Sequence, residues 1–172
     1  MGHSMGGGAT ILSVSNYDLG YKFKYEFDAG FTYSGCDPAP DVNKAVKLID
    51  KPFFLMTATH DCICPPKEYS EKYYTEIPNN KACKYLGDIT KGDHCNWEDT
   101  VDIYQCQALE NSECPEDKND ITPKQQQDIG IAYTKLFLNA IINKSYYTQI
   151  TAQLQADLKN GTMADVSIGN EC

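Results

Sequence analysis

The chain is 172 residues long, 41% hydrophobic and 23% charged, which argues against a disordered chain, since disorder needs low hydrophobicity with high net charge. Its net charge of −9 repels phosphate backbones and argues against nucleic-acid partners. The sequence contains no run of about 18 apolar residues that could span a bilayer as a helix, and the length predicts one domain of ordinary size.

In chain order, the first feature is Gly2-His3-Ser4-Met5-Gly6, a G-x-S-x-G segment continued by Gly7 and Gly8. This is the nucleophile-elbow pattern, in which a serine sits on a strained turn between a strand and a helix. Its flanks must be nearly free of side chains for strand and helix to approach. The serine oxygen then projects at the helix N-terminus, where the Met5 N–H faces a developing oxyanion. Taken alone, the pattern is equally that of a flexible glycine-rich tail. Residues 9–15 read as a short helix. Phe23, Tyr25 and Phe27 alternate with charged residues and predict a half-buried strand over 23–29. Asp37-Pro38-Ala39-Pro40 is a turn-rich linker.

The strongest buried-strand signal is the apolar run over 52–58, opened by Pro52. Thr59-His60-Asp61 follows at its C-terminal end, the edge where open α/β sheets place their active sites. A helix over 67–74 and a short strand over 83–86 come next, then the polar loop Gly92-Asp93-His94-Cys95-Asn96-Trp97. A local disulfide is predicted between Cys106 and Cys114. Thr122-Pro123-Lys124-Gln125 is a capping box with proline in the first turn. Ile129, Ala132, Tyr133, Leu136, Phe137, Ala140 and Ile141 then follow at helical spacing as a core face. Residues 145–172 read as a C-terminal tail with a weak helical pattern over 150–158.

A serine nucleophile needs a base, and the base needs an acid that holds its tautomer. After an elbow the order along the chain is serine, then aspartate or glutamate, then histidine. Of the three histidines, His3 precedes any such acid and His60 sits directly beside Asp61. His94 is therefore the candidate base and Asp61 the candidate acid. Singly, Asp61 reads as a turn aspartate and His94 as a solvated loop histidine. Together, in the required order and each after a predicted strand, Ser4, Asp61 and His94 form the expected triad.

The eight cysteines are even in number and include no CxxC pair, which predicts structural disulfides in an oxidising compartment. The sequons at Asn143 and Asn160 agree with that setting. If the triad forms, its acid and base loops approach each other, and a bridge from Cys95 to Cys62 or Cys64 is expected.

The elbow over 2–8, the acid loop Thr59-His60-Asp61 with Pro65, and the loop Gly92-Asp93-His94 resemble the α/β-hydrolases. Within them, the chain resembles the cutinase-like polyester hydrolases and dienelactone-hydrolase-like esterases. Tyr147-Thr148-Gln149 after the last long helix also resembles the end of cutinase-type domains. The resemblance implies Ser4 as nucleophile, Asp61 as orienting acid, His94 as base and Met5 as an oxyanion-hole donor. It implies a substrate-facing Tyr33, which the residues alone read equally as a packed edge of the core. The implied substrate is a small or polymeric ester, with no metal or cofactor. One departure is that Ile150-Thr151-Ala152 lacks the cysteine with which such relatives pair a C-terminal one.

In the α/β-hydrolase plan the elbow follows the fifth of eight strands. The expected fold is accordingly α/β, the C-terminal part of an α/β-hydrolase: residues 1–172 as a domain beginning at the elbow, with the last three strands and their helices. The first residues show no secretory signal. Met1 is expected to be internal to a longer, secreted protein, and this chain alone to be inactive. The alternatives are a lipase, peptidase or acyltransferase on the same triad, a cysteine-rich secreted binding module without catalysis, and a zinc protein built on His60, His94 and nearby cysteines.

Overall fold

The structure, a computed structural model, describes residues 1–20, 26–37, 39–79, 83–98, 106, 108 and 120–169. A five-stranded sheet runs in the order β1 (Gly2–His3), β2 (Gly30–Tyr33), β3 (Phe53–Ala58), β4 (Lys84–Ile89) and β5 (Met163–Ile168). The first four strands are parallel and β5 is antiparallel to β4. Helices α1 (Met5–Val14), α2 (Pro40–Ala45) and α3 (Ser70–Glu76) connect the parallel strands. Helices α4 (Pro123–Ile142) and α5 (Tyr146–Asn160) lead to β5. The class is α/β.

β3 organises the sheet because it is apolar except at Thr57 and buried on both faces, as an inner parallel strand must be. Phe53 and Leu55 pack with Ile11, Val42 and Tyr73 on one face. Phe54 and Met56 pack with Phe31, Tyr133 and Phe137 on the other. Phe54 is fully buried, with the rings of Phe31, Tyr85, Tyr133 and Phe137 at 4.8, 5.5, 5.6 and 5.9 Å. Phe54→Ala empties the centre of that cluster and is expected to cost about 3–5 kcal/mol, read as a lower urea midpoint at unchanged slope.

The capping box forms as expected. The Gln125 N–H donates to Thr122 Oγ1 at 3.3 Å, and the Thr122 N–H donates to Gln125 Oε1 at 2.9 Å. The helix over 9–15 begins earlier, at Met5, and the one over 67–74 lies at Ser70–Glu76.

Four expectations need correction. The strand expected over 23–29 lies instead at Gly30–Tyr33. Residues 21–25 fall outside the described residues, and Phe27 lies in irregular chain, 43% exposed. The true strand is short and almost wholly buried, so it shows no alternation to read. The elbow does have a strand before it, because Gly2 and His3 pair in parallel with Thr32 and Tyr33. The sheet therefore holds more than three strands. Residues 145–169 are not a tail: α5 packs Ile150 and Leu154 into the core, Gly161 turns at φ 82°, and β5 completes the sheet.

The cysteine pairing also differs. Cys36 bridges Cys64 and Cys95 bridges Cys106, with Cα–Cα distances of 5.6 and 5.5 Å, within ordinary disulfide reach. Neither the expected Cys95 bridge to the acid loop nor a Cys106–Cys114 loop forms. The loop after β2 takes Cys64, and Cys95 turns to Cys106; Cys114 lies outside the described residues. Cys62 and Cys83 are also disulfide-bonded.

Candidate active site

Ser4 stands between β1 and α1 with φ 55° and ψ −128°, a left-handed φ that a residue with a side chain adopts at a cost of about 1–3 kcal/mol. Three backbone hydrogen bonds hold it there. The Ser4 N–H donates to the Tyr33 carbonyl at 3.2 Å, and the Ser4 carbonyl accepts from Gly7 at 2.8 Å and Cys36 at 3.0 Å. Glycine is needed around it for lack of space. A Cβ on Gly2 would lie 1.9 Å from the Gly6 carbonyl oxygen, and one on Gly7 would lie 2.4 Å from the Gly35 Cα. The elbow pattern thus corresponds to a sharp strand-to-helix turn, with Met5 as the first residue of α1.

Asp61 and His94 meet beyond the C-terminal ends of β3 and β4. His94 Nδ1 donates to Asp61 Oδ2 at 2.9 Å, and both residues are buried, each 2% exposed. The second carboxylate oxygen, Oδ1, accepts from the Cys64 N–H at 2.6 Å. An ionised carboxylate only accepts, so the proton of this pair sits on Nδ1 and the basic lone pair of His94 is on Nε2.

The residue before Ser4, His3, packs against this pair. The His3 ring lies 4.6 Å from the His94 ring, and His3 Nε2 donates to the His94 carbonyl at 3.0 Å. Among the described residues, no hydrogen bond joins the Ser4 hydroxyl to the His94 ring. A carbonyl only accepts, so His3 carries its proton on Nε2. Burial, followed by repulsion from His94, lowers the His3 pKa to about 4, which keeps the ring neutral at pH 7.

Helix α4 clamps the histidine loop. Gln126, fully buried, donates through Nε2 to the Asp93 carbonyl at 2.7 Å and accepts the Asp93 N–H on Oε1 at 2.9 Å. Gln127 Nε2 donates to the carbonyls of Asn96 and Glu98 at 3.0 and 2.8 Å. Sequence reasoning set His3 aside and missed both glutamines. The one available signal was that Gln126 shares a helical face with Gly130, Tyr133 and Phe137.

Tyr33 lies at the end of β2 with its ring 4.6 Å from Trp97. Its hydroxyl bonds to Thr134 Oγ1 and donates to the Gly130 carbonyl at 3.4 Å. With His3, Trp97 and Gln127 it lines an open cavity of about 290 Å³. His60, beside Asp61, pairs through Nδ1 with Asp120 at 2.5 Å, which ties the acid loop to the segment leading into α4. A potential metal-binding grouping of Asp61, Cys64 and His94 exists, but the Cys64 sulfur is in a disulfide and His94 Nδ1 is given to Asp61. Cys95 is likewise bridged, so neither cysteine offers the thiolate that a zinc site on these loops would need.

A strained serine before a helix and a buried aspartate–histidine pair thus lie at one end of a mostly parallel sheet. No family model and no curated protein matches the chain.

Proposed function

We propose that this chain carries the nucleophile, base and acid of a serine esterase of the α/β-hydrolase type. The observation that supports it best is the left-handed backbone of Ser4, one residue from a ring packed on the His94 imidazole. Ser4 Oγ attacks the ester carbonyl while His94 Nε2 takes its proton, and the Met5 N–H faces the oxyanion. The imidazolium, stabilised by Asp61, returns the proton to the departing alcohol. Water then attacks the acyl-enzyme with His94 again as base, releasing the acid and restoring Ser4. Every proton is carried by these residues, so the cycle calls for no metal or cofactor.

The disulfides support an oxidising, extracellular setting. Among the described residues, no helix is long and apolar enough to cross a membrane. Tyr33 and the cavity beside it would border the bound ester. With one oxyanion donor assigned, turnover is expected to fall about 10²–10³ below that of a two-donor site. The test is hydrolysis of a short-chain activated ester by the chain and by its Ser4→Ala variant. A slow rate that disappears in Ser4→Ala supports the assignment, and equal rates reject it. A panel of amides, long-chain esters and acyl acceptors separates esterase from peptidase, lipase and acyltransferase.

A further inference from the structure

We propose that the Cys36–Cys64 disulfide is a positioning link that fixes the nucleophile and the acid in one frame, an inference that rests on the reading of Ser4 and Asp61 just given. Each of its cysteines uses its own backbone N–H on one of those residues. The Cys36 amide donates to the Ser4 carbonyl at 3.0 Å, and the Cys64 amide donates to Asp61 Oδ1 at 2.6 Å. The disulfide joins the two donors covalently across 28 residues of sequence.

The surroundings make this a frame and not a chance staple. Loop 34–37 is pressed against the start of α1. A Cβ on Gly7 would strike the Gly35 Cα at 2.4 Å, and one on Gly8 would strike the Asp37 side chain at the same distance. The Tyr73 hydroxyl of α3 donates to the Asp37 carbonyl at 3.0 Å and so secures the far end of the loop. Cys64 is fully buried and Cys36 is 8% exposed, so the link is shielded by the groups it positions. The acid loop has no strand pairing of its own at Cys62–Pro66 and relies on such ties for its place. Nucleophilic catalysis is sensitive to displacements of about 1 Å, and a hydrogen-bonded amide on each residue transmits any movement of the link.

The test compares the intact chain with Cys36→Ser/Cys64→Ser and Cys36→Ala/Cys64→Ala, with Leu154→Ala as a control that weakens the opposite face of the sheet. Two readouts apply: the rate at which a fluorophosphonate labels Ser4, and the far-downfield proton resonance of the His94 Nδ1–H bound to Asp61. Near-UV circular dichroism monitors the fold. Loss of the link is expected to slow labelling at least tenfold and to erase the downfield resonance while the dichroism persists. Leu154→Ala is expected to keep both signals. Unchanged labelling and resonance without the link would overturn the proposal, as would equal losses in Leu154→Ala. Global unfolding of both double variants would also overturn it, since the link would then serve the whole fold. If the intact chain is not labelled at Ser4, the esterase reading fails, and the resonance, which does not depend on Ser4, decides the link alone.

Discussion

Asp61→Asn is expected to lower Ser4-dependent ester turnover about 10⁴-fold while leaving the fold in place. The reason lies in the second partner of the carboxylate. Oδ1 accepts the Cys64 N–H at 2.6 Å, so an asparagine keeps its carbonyl oxygen there and turns its NH₂ toward His94. The ring nitrogen that now donates to Oδ2 must then accept, which moves the imidazole proton from Nδ1 to Nε2. An Nε2 that carries the proton is unable to take another from Ser4. The loss should fall on kcat, because ester binding does not involve Asp61. Turnover within tenfold of the parent would show that His94 does not depend on Asp61 for its tautomer.

Asp88→Asn is expected to stabilise the protein at about pH 8 by on the order of 4 kcal/mol and to leave it unchanged at low pH. Asp88 is 7% exposed on β4, and among the described residues its Oδ1 has no hydrogen-bond partner. Burial first, then the charges of Glu71, Asp165 and Asp61, raise its pKa to about 7. Asp165 stands directly across from it on β5. Lys67 lines the same cavity of about 620 Å³. The folded protein therefore holds this proton more tightly than the unfolded chain does. The stability it contributes is complete below the ordinary aspartate value of 3.8 and is lost as pH rises through about 7. His3 acts in the opposite sense: its pKa lies below 6.5, so its contribution is lost as pH falls toward 4. In Asp88→Asn the His3 effect is no longer masked, and stability should fall between about pH 6.5 and 4. Urea unfolding of parent and variant across this range checks both signs. A constant offset at every pH would show that Asp88 does not titrate there.

What could be read beforehand follows from how each segment is buried. The run over 52–58 could be read because an inner parallel strand needs apolar residues on both faces, and Phe53–Ala58 are all buried. The capping box could be read because Thr122 and Gln125 act locally. The pairing of Asp61 with His94 could be read because a base needs an acid that holds its tautomer, and the two are hydrogen-bonded. β5 was missed because it pairs on one side only and exposes Ala164 and Asp165, which leaves no alternation. The disulfides were misassigned because pairing depends on which loops adjoin in space. Cys36, on the loop 34–37 that packs against α1, meets Cys64 across 28 residues of sequence. The glutamine clamp on the histidine loop was hidden for a similar reason: a polar side chain on a helix reads as solvated until its partners are seen.

The most direct test of the proposed relay is the site of covalent modification when the chain reacts with an organophosphonate ester. Peptide mass spectrometry is expected to find one adduct, on Ser4, formed in the parent and absent or strongly slowed in His94→Ala. No adduct, an adduct on another residue, or an equal rate of Ser4 modification without His94 would contradict the account.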